Sequence, residues 1–189
     1  MMKLALFSSR DFDRGATRAK EAAWLILSGV LVESWLPGSG WRCWLLRIFG
    51  AVIGTRVTIK PRVRVKFPWR LSVEDDVWIG EAVWIDNLGT VSIGRDVCIS
   101  QGAYLCTGSH DWCTTTFDLI VRPIVVASHA WIGAMARLAP GTYVGEGAVV
   151  GMGAMVSGNL APYHVFSLRK EEMLSVKQRL VDIYLEEKA

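Results

Sequence analysis

The chain has 189 residues, 51% hydrophobic and 21% charged, with a net charge of +3 at neutral pH. That balance excludes a disordered chain, and so mild a charge without a long Lys/Arg block argues against nucleic acid as a partner. The longest apolar run, from Ala22 to Val32, has 11 residues, against the roughly 20 that a membrane-spanning helix needs. Cys43, Cys98, Cys106 and Cys113 form no CxxC pair, and no signal-peptide cleavage pattern opens the sequence. A reduced, cytoplasmic protein is therefore expected.

Residues 1–50 form an N-terminal arm followed by two apolar segments. Residues 1–20 are polar and basic. Residues 20–36 predict an apolar helix that ends where Pro37, Gly38, Ser39 and Gly40 follow, and Trp41 to Gly50 predicts a second helix. Four of the nine tryptophans lie here, at Trp24, Trp35, Trp41 and Trp44. Trp and Arg at the edges of apolar helices suit the headgroup level of a bilayer. Peripheral contact with the inner face of a membrane through residues 20–50 is one reading. Packing of both helices as caps, or in an oligomer, is the other.

From residue 53 the sequence repeats in sixes. Branched apolar residues fall at 53/59/65, 73/79/85, 93/99/105, 126/132/138 and 144/150/156. The spacing departs from six only after each of the first three sets. A three-sided coil explains this, with one short strand per side and every insertion leaving from the same corner. The position two before each marker is small or β-branched, as at Val77, Val97, Ala130 and Ala148, and strand alternation sends both positions inward. The residue after the marker is often glycine, as at Gly54, Gly80 and Gly133, which suits a tight corner. About five turns are expected over residues 51–160, interrupted by one long excursion at 106–125. Residues 161–189 predict a helical tail.

The long excursion carries TGSHD, with His110 five residues past the marker at Leu105. One turn earlier the same corner carries Asp86 and Asn87. Turns stack about 4.8 Å apart, so an imidazole and a carboxylate/amide pair project from neighbouring levels of one edge. Cys106, His110 and Cys113 also have a spacing that would begin a zinc site, but a fourth ligand is missing nearby.

The rhythm, with FGAVIG (49–54), DVWIGEAVWIDNLGTVSIG (76–94), CISQGAYLCTGSHD (98–111) and FDLIVRPI (117–124), resembles the hexapeptide-repeat O-acetyltransferases, in particular the colanic-acid type of exopolysaccharide pathways. The resemblance implies a left-handed parallel β-helix, a homotrimer with sites between neighbours, and direct acetyl transfer from acetyl-CoA to the hydroxyl of a sugar or glycan acceptor, with no metal. It makes His110 the general base. A polar residue at the preceding level, Asp86 or Asn87, would orient the acceptor. Asp111 would orient His110 or be solvated, and Asp13 or Asp11 would approach from the arm. The Ala134 N–H would meet the thioester oxygen, with Trp131 lining the site. Coenzyme A would lie along the later coils at Gly151, Gly153 and Ala154, with Arg169 on the tail available to phosphates. The chain departs from the family pattern at Gly158 and in the tail, where VFSLRKEEMLSVKQR replaces the usual motif. A non-catalytic solenoid, a binding or assembly module that has lost the coenzyme, is the alternative from another class.

Overall fold

The structure is a computed structural model and describes residues 3–167. Its body is a three-sided parallel β-solenoid. The first face is built by Val52–Ile53, Leu71–Val73, Val91–Ile93, Ile124–Val126, Tyr143–Val144 and Asn159–Leu160. The second face runs from Thr58–Ile59 to Val165–Phe166, and the third from Arg64–Val65 to Met155–Val156. Every pairing within the three faces is parallel and in register, Ile53 opposite Val73 and Ile85 opposite Leu105. This is the architecture of the left-handed parallel β-helix.

The six-residue markers form the core. Ile59, Ile79, Ile99, Ile132 and Val150 stack down the second face, and Val65, Ile85, Leu105 and Leu138 down the third. Each is at most 5% exposed. Full burial of such a side chain is worth about 1.5–3 kcal/mol, so a repeated residue holds each level to the next.

The coil has about six turns rather than five. Asn159–Leu160 and Val165–Phe166 begin a sixth turn, pairing with Tyr143–Val144 and Val149–Val150. The count of sixes misses them because Leu160 follows Val156 after a shortened corner and Phe166 is aromatic. The role of the glycines is also different from that expected. Gly54, Gly80 and Gly133 do not supply a left-handed turn. A Cβ at Gly133 would lie 2.6 Å from the Val150 carbonyl oxygen, so the glycine admits the backbone of the next level. The left-handed residue sits three positions past the marker and is often not glycine, as at Arg56, Asp76, Ala82 and His129.

At the N-terminal end, α1 (Arg18–Leu27) runs into a wider π-turn at Ser28–Val32, and α2 (Gly40–Ile48) follows. The regular helix stops earlier than the apolar pattern suggested because Arg42 gathers the chain after it. The Arg42 guanidinium is fully buried and donates to the carbonyls of Val32, Ser34, Leu36 and Gly38. Cys43, Leu45 and Leu46 of α2 and Phe49 just after it face the core, and Trp24 of α1 donates its indole N–H to the Val65 carbonyl at 2.9 Å. The two helices thus close the first coil.

Candidate active site

The excursion from the third corner is a β-hairpin rather than an irregular loop. Gly108–His110 pairs antiparallel with Leu119–Val121, His110 opposite Leu119. The Thr107 N–H donates to the Asp86 carbonyl at 3.2 Å, and its hydroxyl accepts from the Gly89 N–H at 2.8 Å. Those bonds tie the hairpin base to the corner one level below.

His110 is half-buried and held from three sides. Its Nδ1 lies 2.9 Å from the Phe117 carbonyl oxygen. Only a protonated Nδ1 makes that bond, so Nε2 is left as the basic nitrogen. The Phe117 ring stacks on the imidazole at 4.3 Å, and Phe7 meets it edge-on at 5.1 Å. Phe7 belongs to the N-terminal arm, whose Lys3 N–H donates to Thr115 in the same excursion. Sequence spacing gave no sign of this contact, because more than a hundred residues separate the partners.

Asp86 lies level with Cys106 on the third face. Its Oδ2 accepts from the Tyr104 hydroxyl at 2.9 Å, and its Oδ1 lies 3.1 Å from Lys66 Nζ. Burial, with Cys106 and the Asp86 carboxylate beside it, holds the Tyr104 phenol above its ordinary range, so it stays a donor. The carboxylate is thereby fixed in orientation, with Oδ1 buried and the side chain 15% exposed. Lys66, Asp86 and Cys106 each occupy the position after a marker, so the six-residue count contained this column.

Asn87 is different from the expected acceptor group. It is fully buried, accepts from the Phe67 N–H at 2.9 Å and donates to the Phe67 carbonyl at 2.7 Å. Its amide replaces a missing strand bond between two levels. Asp111 does not orient the imidazole, since the Phe117 carbonyl takes Nδ1. Its carboxylate instead accepts from the Cys113 N–H at 2.9 Å within a turn. Asp13 is exposed, accepts from the Gly15 N–H and stands 4.0 Å from Arg70. Cys106 Sγ lies 3.1 Å from the Gly108 carbonyl oxygen. Among the described residues no three His, Cys, Asp or Glu side chains gather to hold a metal ion.

The residues expected along the coenzyme lie on another edge. A groove of about 380 Å³ follows the second-to-third corner, lined by Ser100, Trp131, Gly133, Ala134, Gly151 and Met152. Trp131 donates its indole N–H to Ser100 Oγ at 2.9 Å. The Ala134 carbonyl accepts from the Gly153 N–H at 2.8 Å, while the Ala134 N–H has no backbone acceptor among the described residues. The groove is floored by small residues and walled by an indole. Ala154 does not join it: two positions before Val156, its side chain points into the core at 3% exposure. Arg169 and the expected C-terminal helix lie outside the described residues. The third face separates this groove from the corner that carries His110, so one chain does not bring the two together.

A three-sided hexad coil whose one long insertion presents an oriented histidine matches what is expected of a hexapeptide-repeat acetyltransferase. No family model matches the chain. It is 38% identical over 162 residues to the putative colanic acid biosynthesis acetyltransferase of Escherichia coli K12, across 85% of this chain and 88% of that protein. The chain belongs to that family of acetyltransferases. It is 24% identical over 121 residues to the galactoside O-acetyltransferase of the same strain, across 62% of this chain and 60% of that one. Among solved structures, a hexapeptide-repeat acetyltransferase of Vibrio cholerae O1 biovar eltor complexed with acetyl coenzyme A shares the fold, with a TM-score of 0.73 at 20% identity, across 88% of this chain and 96% of that one.

Proposed function

We propose that the protein is a cytoplasmic, acetyl-CoA-dependent O-acetyltransferase that acetylates a sugar hydroxyl in exopolysaccharide biosynthesis, with His110 as general base in a direct transfer. The observation that carries this reading is the Nδ1 bond from His110 to the Phe117 carbonyl, which leaves Nε2 as the proton acceptor. Acetyl-CoA supplies the activated acyl group as a thioester. His110 Nε2 takes the proton of the acceptor hydroxyl as that oxygen bonds to the thioester carbonyl carbon. The C–S bond then breaks, and the imidazolium returns the proton to the departing thiolate. Asp86, held by Lys66 and Tyr104, orients the acceptor. A second groove, of about 480 Å³ between α1 and the third face, is lined by Leu25, Arg64, Lys66 and Trp84, and its Lys66 is the ion-pair partner of the Asp86 carboxylate.

The developing oxyanion would meet the Ala134 N–H. Because the His110 hairpin and the Ala134 groove occupy different edges, we assign each complete site to two neighbouring copies in a homotrimer. The test is thiol release from acetyl-CoA with a panel of sugar and glycan acceptors. Acceptor-dependent release that His110→Ala abolishes supports the reading. A variant that keeps more than about a tenth of the turnover removes His110 as the base, since a lost general base costs about 10²–10⁴-fold. No release with any acceptor, together with no thermal shift on adding acetyl-CoA, would favour a non-catalytic solenoid.

A further inference from the structure

The two helices that close the first coil bury one side and leave the other strongly apolar. On α2, Trp44 and Ile48 lie one turn apart, 60% and 55% exposed, opposite the buried Leu45 and Leu46. Ile26 and Val30 are exposed on the preceding segment. Trp35 is the most telling of the group, at 73% exposure. It sits between Ser34 and Leu36, whose carbonyls are both held by the buried Arg42. A fully buried guanidinium thus fixes the loop that holds an indole out in solvent. Fixing a large apolar side chain in that position is unfavourable in water and useful where the end of the molecule is covered.

Charge identifies the cover. The first coil, residues 53–66, carries Arg56, Lys60, Arg62, Arg64 and Lys66 and no acid, while the second, residues 73–86, carries five acids and no cation. The layers are tied by Arg56–Asp76, Arg62–Glu81 and Lys66–Asp86. The arrangement is polarised, with the cations in the layer nearer the apolar cap. Arg47 of α2 is exposed as well, with its guanidinium donating to the Ile53 and Gly54 carbonyls where the first coil begins. No helix among the described residues is long and apolar enough to cross a membrane.

We infer that this end of the solenoid is a docking surface for an anionic lipid bilayer, with Trp35, Trp44 and Ile48 entering the interface and the basic first coil facing the headgroups. The coil then stands on the membrane rather than lying along it. The third coil, which bears His110, is two levels above the first. With levels about 4.8 Å apart and a helix layer about 10 Å thick, His110 sits roughly 20 Å from the apolar contact. That height suits a sugar held above a bilayer.

The test uses the full chain with two kinds of vesicle, phosphatidylcholine alone and phosphatidylcholine with about a third phosphatidylglycerol. The protein should sediment with the anionic vesicles and much less with the neutral ones, and high salt should release it. Trp35→Ser with Trp44→Ser should weaken binding at least about tenfold, because each indole loses its burial, while melting temperature and oligomeric state stay unchanged. Equal binding of wild type and double variant would overturn the proposal, as would no binding to anionic vesicles. A double variant that loses an oligomer instead would assign the face to a second copy of the chain. Vesicle binding needs no acetyl-CoA, so either result leaves the transfer reading to its own assay.

Discussion

The ring of His110 lies 4.3 Å from that of Phe117, parallel within 1°, while its Nδ1 bonds to the carbonyl of the same residue at 2.9 Å. One residue thus fixes both the tautomer and the plane of the imidazole. Phe117 does so from a left-handed backbone conformation, φ 52°, which disfavours a β-carbon. Strain accepted at a residue that orients the proposed base is consistent with preorganisation.

Phe117→Gly should relieve the backbone and lose the stacking. We expect kcat to fall by about tenfold or more, since small displacements of a reacting group are costly, with the KM for acetyl-CoA unchanged. Wild-type kinetics in this variant would show that the ring does not position His110.

Asp86 is held by a phenol and an ammonium, and the two grips are separable. Asp86→Asn keeps an oxygen for the Tyr104 hydroxyl but loses the ion pair with Lys66. It should raise the KM for the sugar far more than that for acetyl-CoA. Tyr104→Phe should do the same more mildly, because one neutral-to-charged hydrogen bond of about 1.5–3 kcal/mol is lost. Equal effects on both substrates would remove Asp86 from the acceptor side.

Asn87→Leu leaves the Phe67 N–H and carbonyl buried without partners. The expected loss is about 2–6 kcal/mol of stability, at about 1–3 kcal/mol for each orphaned group. Thermal or urea unfolding measures it. At a temperature where the variant stays folded, transfer should persist. A variant with normal stability and no turnover would return Asn87 to a chemical role.

Acid should loosen the first two coils from each other. The Arg56 guanidinium holds the Asp76 carboxylate below its ordinary value, and bonds from Thr55 do the same for Asp75. Depressed carboxylates contribute stability at neutral pH and lose it as pH falls through their folded-state values. Protection of the first coil against hydrogen exchange should therefore weaken below about pH 4, the ordinary carboxylate range, before protection of the later coils does. Exposure keeps the effect small, and added salt should diminish it.

Much of this was written along the chain. The hexad count placed Ile53 through Val156 inside, set three faces, put all three insertions at one corner and put His110 on the long one. A period of six survives in sequence because each marker meets its equivalent on the next level, so local spacing and tertiary contact are the same fact. The count stopped short of Leu160 because a shortened corner broke the spacing, and it treated Gly133 as a turn residue when the constraint is the Val150 backbone above it.

The sequence alone determined the solenoid, the hairpin's place and the residue type able to accept a proton. The tertiary structure decided the rest. It gave Nδ1 of His110 to Phe117 rather than Asp111, made Asn87 a backbone substitute, brought Phe7 of the arm against the imidazole and drove Ala154 into the core. Composition and spacing carry hydrophobic burial, which repeats with the chain. Hydrogen-bond partnership depends on which groups remain unpaired once the coil has closed, and only the closed coil specifies that.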